Sequence, residues 1–142
     1  MRTSAMQPQG KYRIQNVMYS ELFLHMTDDC RVVGSETAGG DIFEVIMVNP
    51  MECLVLIRHV SRGFFIVVNE NGELVGRTDT QEFAVWGETD IPDDSYIVFV
   101  KGMKQEWVPD RQRYPIQIIV APSIDPTTPD FISRCWRFVK AE

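Results

Sequence analysis

CLVLIRHVSRGFFIVVNENGELVGRTDTQEFAVW, residues 53–86, holds four short β-type runs separated by three turns. The runs are Val55-Leu56-Ile57, Phe64 to Val68, Leu74-Val75 and Phe83 to Trp86. Asn71-Gly72, between the second and third runs, is a hairpin signal because both residues tolerate positive φ. His59 to Gly63 and Arg77 to Glu82 supply the other two turns. One such unit decides little; its recurrence decides the fold.

Upstream, Tyr12-x-Ile14-x-Asn16-Val17 matches Val55-x-Ile57-x-His59-Val60, and Leu22-Phe23-Leu24 matches Phe64-Phe65-Ile66. Ten residues after Leu24 stands Gly34, and ten after Ile66 stands Gly76. Phe43-Glu44-Val45 then closes the first unit as Phe83-Ala84-Val85 closes the second. Downstream, Tyr96 to Val100 opens a third unit, Gln105 to Val108 and Ile116 to Val120 continue it, and Trp136 to Val139 closes it. The third unit is about ten residues longer, and the extra length is expected before its last strand.

Three repeats of four strands, at about 11–48, 52–89 and 94–142, predict an all-β chain folded as one β-trefoil domain over residues 1–142. Six strands would form a short barrel and three hairpins would cap it, leaving no exposed strand edge. The expected barrel core is Ile14, Val45, Ile57, Val85, Val98 and Phe138, with Leu22, Leu24, Phe64 and Ile66 beneath the cap. A β-sandwich has a similar strand count, but it gives no reason for a threefold repeat.

Composition narrows the partners. A net charge of −6, with 20 acids against 14 bases, opposes binding to nucleic acid, which depends on neutralising phosphates. No apolar run approaches membrane-spanning length, so no membrane partner is expected. Cys30, Cys53 and Cys135 are odd in number and lack metal-ligand spacing, which suits reduced thiols and a cytoplasmic location.

Catalytic chemistry is not expected either. Of the two histidines, alternation turns His25 outward, and His59 occupies the place of Asn16, where a turn role is implied. Asp28-Asp29 and Asp93-Asp94 sit in turns, where aspartate bonds its own backbone. Gly39-Gly40 follows no strand-to-helix transition and so is no phosphate loop. The reading is a binding protein without enzyme activity, cofactor or metal.

The closing Gln81-Glu82-Phe83 resembles the Gln-x-Trp signature of ricin-type trefoil lectins, in degenerate form at Asp41-Ile42-Phe43 and Arg134-Cys135-Trp136. In that family the sugar is held by an aspartate near the second strand and an exposed aromatic. Leu22 to Met26 and Phe64 to Val68 contain no aspartate, so a lectin site would fall elsewhere, at Trp86 or Trp107. Gly10 to Val17 and Cys135 to Val139 resemble the ends of small fungal β-trefoil proteins, which include cytosolic lectins, mycocypins and Kunitz-like protease inhibitors.

That resemblance implies, first, a protease inhibitor that inserts a rigid loop into the cleft of a serine or cysteine protease. Arg31, beside Cys30, and Arg62 are the basic loop candidates. Asn49 lies where plant Kunitz inhibitors present their reactive loop, and Thr37 to Gly40, including Gly39, resembles the loops of mycocypins. The alternative it implies is a glycan-binding lectin; either could be a monomer or a homodimer. Asn71-Gly72-Glu73-Leu74 also resembles fibroblast growth factors, a third reading that lacks their cysteine and basic surface.

Overall fold

A computed structural model describes residues 8–36, 40–87 and 94–141. The first unit holds β1 (Gly10–Asn16), β2 (Phe23–Met26), β3 (Val32–Ser35) and β4 (Phe43–Asn49). The second holds β5 (Leu54–His59), β6 (Phe65–Val68), β7 (Leu74–Arg77) and β8 (Phe83–Trp86). The third holds β9 (Ser95–Val100), β10 (Gln105–Asp110), β11 (Ile116–Pro122) and β12 (Trp136–Lys140). Its extra length does lie between β11 and β12, where Pro129–Arg134 forms a 3-10 helix.

Antiparallel pairings run β1–β4–β5–β8–β9–β12 and return to β1, closing a ring of six strands. The register explains why the alternating apolar positions matter. Ile14 faces Phe138, Val45 faces Ile57, and Val85 faces Val98. All six expected core residues are thus paired across strands and buried. Leu22, Leu24 and Ile66 are buried beneath the hairpins as expected, whereas Phe64 is half-buried under the Arg62 guanidinium. The closed ring rules out the sandwich.

The three hairpins β2–β3, β6–β7 and β10–β11 meet around a pseudo-threefold axis. Each unit bridges to the next: Arg31 to Val75, Glu73 to Ile119, and Gln117 to Val33. At the centre lies Gln117, whose buried amide nitrogen donates to the carbonyls of Val32, Leu74 and Ile118 at 3.0, 3.0 and 2.9 Å. Those three carbonyls occupy equivalent places in the three hairpins, opposite Met26, Val68 and Pro109.

The same equivalence explains an unusual backbone. Cys30 has φ of 67°, a left-handed conformation that costs a residue with a Cβ. Gly72 holds φ of 76° at the matching point of the second hairpin, and both turns carry the same main-chain bonds. Cys30 therefore stands where the second unit uses the glycine of Asn71-Gly72.

Candidate functional site: a carboxylate cleft at the first unit

The closing motif of each unit folds back onto its own second strand. In the second unit Gln81 Oε1 accepts from Val68 N–H at 2.7 Å. In the first, Asp41 Oδ2 accepts from the equivalent Met26 N–H at 2.9 Å. In the third the equivalent residue is Pro109, which has no N–H to offer. Arg134 there instead donates to Glu106 Oε1 and Pro122 O, both at 2.9 Å. The degeneracy of the motif thus follows from what each second strand presents, and it leaves a carboxylate in the first unit alone.

Asp41 is flanked by both histidines. His59 Nδ1 accepts the Arg62 N–H at 3.2 Å, so Nε2 carries the proton and donates to Asp41 Oδ2 at 2.8 Å. His25 Nδ1 meets Oδ1 at 3.0 Å, leaving its Nε2 without a partner among the described residues. Burial opposes the charge on Asp41, but the Met26 N–H and the two imidazoles outweigh it and hold the carboxyl below its usual range. Gly40 makes this approach possible: its φ is 77°, and a Cβ there would lie 2.5 Å from Phe23 Cβ.

These groups line an open cleft of about 440 Å³ together with Arg13, Asp28, Ser61 and Arg62. Arg13 has no ion-pair partner among the described residues. Ser61, His59 and Asp41 share the residue types of a hydrolase triad, but the geometry does not support one. Ser61 Oγ is 3.5 Å from His59 Nδ1, at the outer limit of a hydrogen bond and longer than the usual O–H···N distance, and that nitrogen's lone pair is committed to Arg62 N–H. Asn16 Oδ1 accepts from Tyr19 N–H in the same way, so His59 serves as a turn cap, as its place in the repeat implied. No group of three His, Cys, Asp or Glu residues among the described ones is placed to hold a metal.

The other candidates divide clearly. Arg62 donates to Thr27 O at 2.5 Å, Asp28 O at 3.3 Å and Cys30 Sγ at 3.2 Å, so it ties its own turn to the first hairpin. Arg31 pairs with Asp29 at 3.2 Å, while its N–H and C=O bond to Thr27 and the Cys30 carbonyl accepts from Gly76. A reactive-site loop offers its main chain to the protease, and the main chain around Arg31 is already engaged. Asn49 caps the 3-10 turn Pro50–Glu52, its side chain accepting from Met51 N–H and Glu52 N–H, with Met51 95% exposed at the tip. Thr37 and Gly39 lie outside the described residues.

Trp107 requires correction as a sugar platform. It is 0% exposed, packed edge-on against Phe83 and Trp136, with its carbonyl accepting the Trp136 indole N–H. Trp86 is 43% exposed on β8 but does not line the Asp41 cleft. Asp41 itself was the residue that sequence reasoning missed. Its signal was an acid at the glutamine position of a closing motif, in the one unit with a histidine on its second strand.

The geometry defines a β-trefoil protein with a carboxylate-centred cleft in its first unit. No protein-family profile and no curated protein matches the sequence. Solved structures do match its fold. The ricin B-like lectin of Macrolepiota procera, solved with lactose, aligns with a TM-score of 0.73 at 13% identity over 99% of this chain and 100% of that one. A proteinase inhibitor from Coprinopsis cinerea gives 0.73 at 13% identity, over 94% and 99%. The designed threefold-symmetric ThreeFoil gives 0.74 at 11% identity, over 93% and 99%. Identities this low establish the β-trefoil fold, which hosts more than one function.

Proposed function

We propose that the protein binds carbohydrate, with the Asp41 cleft as its site. The observation that carries this reading is a structured carboxylate at the wall of an open cleft, with Oδ1 held by a single contact among the described residues, to His25. A sugar presents adjacent hydroxyls that both donate and accept. Asp41 supplies acceptor capacity, Arg13 supplies donors, and His25 Nε2, without a partner among the described residues, accepts in the neutral ring. Because Met26 N–H and His59 fix the carboxylate before a ligand arrives, little ordering entropy is lost on binding.

The test is a glycan array followed by calorimetric titration of the best hit against the parent protein and Asp41→Asn. Loss of at least about tenfold in affinity in the variant supports the site. Unchanged affinity moves the sugar elsewhere, and an array without hits removes the reading.

Protease inhibition is the second reading, and one loop favours it. The Pro50–Glu52 turn is short, exposed and braced from within by Asn49, as a loop inserted into a cleft must be. Arg31 and Arg62 are engaged internally, so a trypsin-directed basic site is not where this reading rests. Titration against trypsin, chymotrypsin and papain, with Met51→Ala alongside, separates the two. Inhibition lost in the variant would favour this loop over the cleft.

A further inference from the structure

His25 lines a second cleft as well as the first. This neighbour, of about 410 Å³, is bounded by Leu22, Thr27, Glu36 and Ile116, with Tyr114 and Pro115 at one side. It lies between the first and third units because β11 pairs with β3, Ile116 opposite Gly34 and Gln117 opposite Val33. The loop between β10 and β11 is thereby held beside the first hairpin. Tyr114 on that loop is 97% exposed. Isolated exposed apolar side chains are common and need no explanation. Tyr114 differs in standing at the margin of a concave site, with its ring faces uncovered.

The shared wall matters chemically. The His25 Nδ1 is fixed by Asp41, and its Nε2 has no partner among the described residues. The ring is therefore an oriented, half-exposed divider between two clefts, each large enough for a small ligand.

We propose that the two clefts form one extended site and that its ligand is a linear oligosaccharide. This rests on the carbohydrate reading of the Asp41 cleft. A terminal sugar would sit against Asp41 and Arg13, the chain would cross His25, and a following sugar would stack on Tyr114. An extended peptide fits less well. β2 lies between β1 and β3, and β3 lies between β2 and β11, so no strand edge is free there to accept an added strand. Recognition must come from side chains, and beside apolar walls such as Leu22 and Ile116 these include one exposed aromatic ring and several hydroxyl-compatible polar groups.

The experiment uses an array carrying mono-, di- and tetrasaccharide forms of each terminal sugar. The best series is then titrated into the parent protein, Tyr114→Ala and Asp41→Asn. Affinity should rise by about tenfold or more from monosaccharide to tetrasaccharide, the contribution of one aromatic contact. Tyr114→Ala should lose most of that rise while binding the monosaccharide within about twofold of the parent, as expected of a fully exposed side chain outside the first cleft. Asp41→Asn should weaken every member of the series. Binding without length dependence, or a Tyr114→Ala loss equal for short and long sugars, overturns the extended site and leaves the Asp41 reading standing. Failure of every saccharide to bind removes both.

Discussion

Replacing Gln117 by methionine tests how the three units are held together. The side chain keeps nearly the same length and loses both polar atoms. In the parent, one amide nitrogen with two hydrogens serves three carbonyls, those of Val32, Leu74 and Ile118. The opposite amide orientation would set an oxygen against the same three oxygens, which fixes the assignment. Oε1 is buried without a partner, so the residue already carries one polar penalty. A buried carbonyl left unpaired costs about 1–3 kcal/mol, and removing the orphaned Oε1 returns roughly one such amount. The net loss is therefore about 2–6 kcal/mol. For a chain of this size that corresponds to a fall in Tm of roughly 5–25 °C. Urea unfolding followed by tryptophan fluorescence measures it directly, because Trp107 and Trp136 are buried. Gln117→Glu should be worse at neutral pH, since a carboxylate would face the carbonyls. It should partly recover as acid restores an O–H donor. A methionine variant within about 0.5 kcal/mol of the parent would refute the claim that this amide joins the hairpins.

Cys30→Gly should raise stability by about 0.5–1 kcal/mol, because glycine occupies the left-handed conformation without the Cβ penalty. Cys30→Ala keeps a Cβ in the left-handed conformation and loses the Sγ acceptor of Arg62, so it should not raise the urea midpoint. Asp41→Ala should cost about 1–3 kcal/mol at pH 7 by leaving Met26 N–H and two imidazoles without their acceptor. The folded Asp41 carboxyl sits below its unfolded value, so its contribution is complete above the ordinary carboxylate range and is lost as pH falls through the folded value. The gap between parent and Asp41→Ala should therefore close in acid, as unfolding curves below about pH 4 would show. Thiol labelling should distinguish the cysteines. Cys30 is half-buried and should react in the native protein. Cys135, whose thiol is pushed up to about 12 by burial and by Glu106, should react only on unfolding.

The fold was legible because its signal is redundant. Ile14, Ile57 and Val98 mark the same place three times, and the closing aromatics Phe43, Phe83 and Trp136 do so again. A slip at one strand would have been corrected by the other two. Even the glycine role of Cys30 is encoded, four residues before Gly34 as Gly72 is four before Gly76. The site was harder to read because it depends on departures from the repeat. Asp41 looked like a degraded glutamine, and nothing in the chain announces that Met26 presents an N–H to it while Pro109 presents none to Arg134. Trp107 was misplaced for a related reason. A tryptophan on a strand reads equally as core or as sugar platform. In the structure Glu106 is itself buried against Arg134, and that burial, partly offset by Arg134, pushes its carboxyl above its usual range.

The pairing of β1 with β12, Tyr12 opposite Lys140, also sets a schedule for the chain during its synthesis. β1 leaves the ribosome well before β12, the strand it needs as its neighbour. At ordinary translation speed the two are separated by on the order of ten seconds. Throughout that interval β1 can pair with β4 but keeps one flank open, with Ile14 awaiting Phe138. The ring without edges in the finished protein is thus preceded by a nascent state with an edge. The burden of keeping that edge from foreign strands falls on the residues flanking Ile14, Arg13 and Gln15, which are polar on the opposite face.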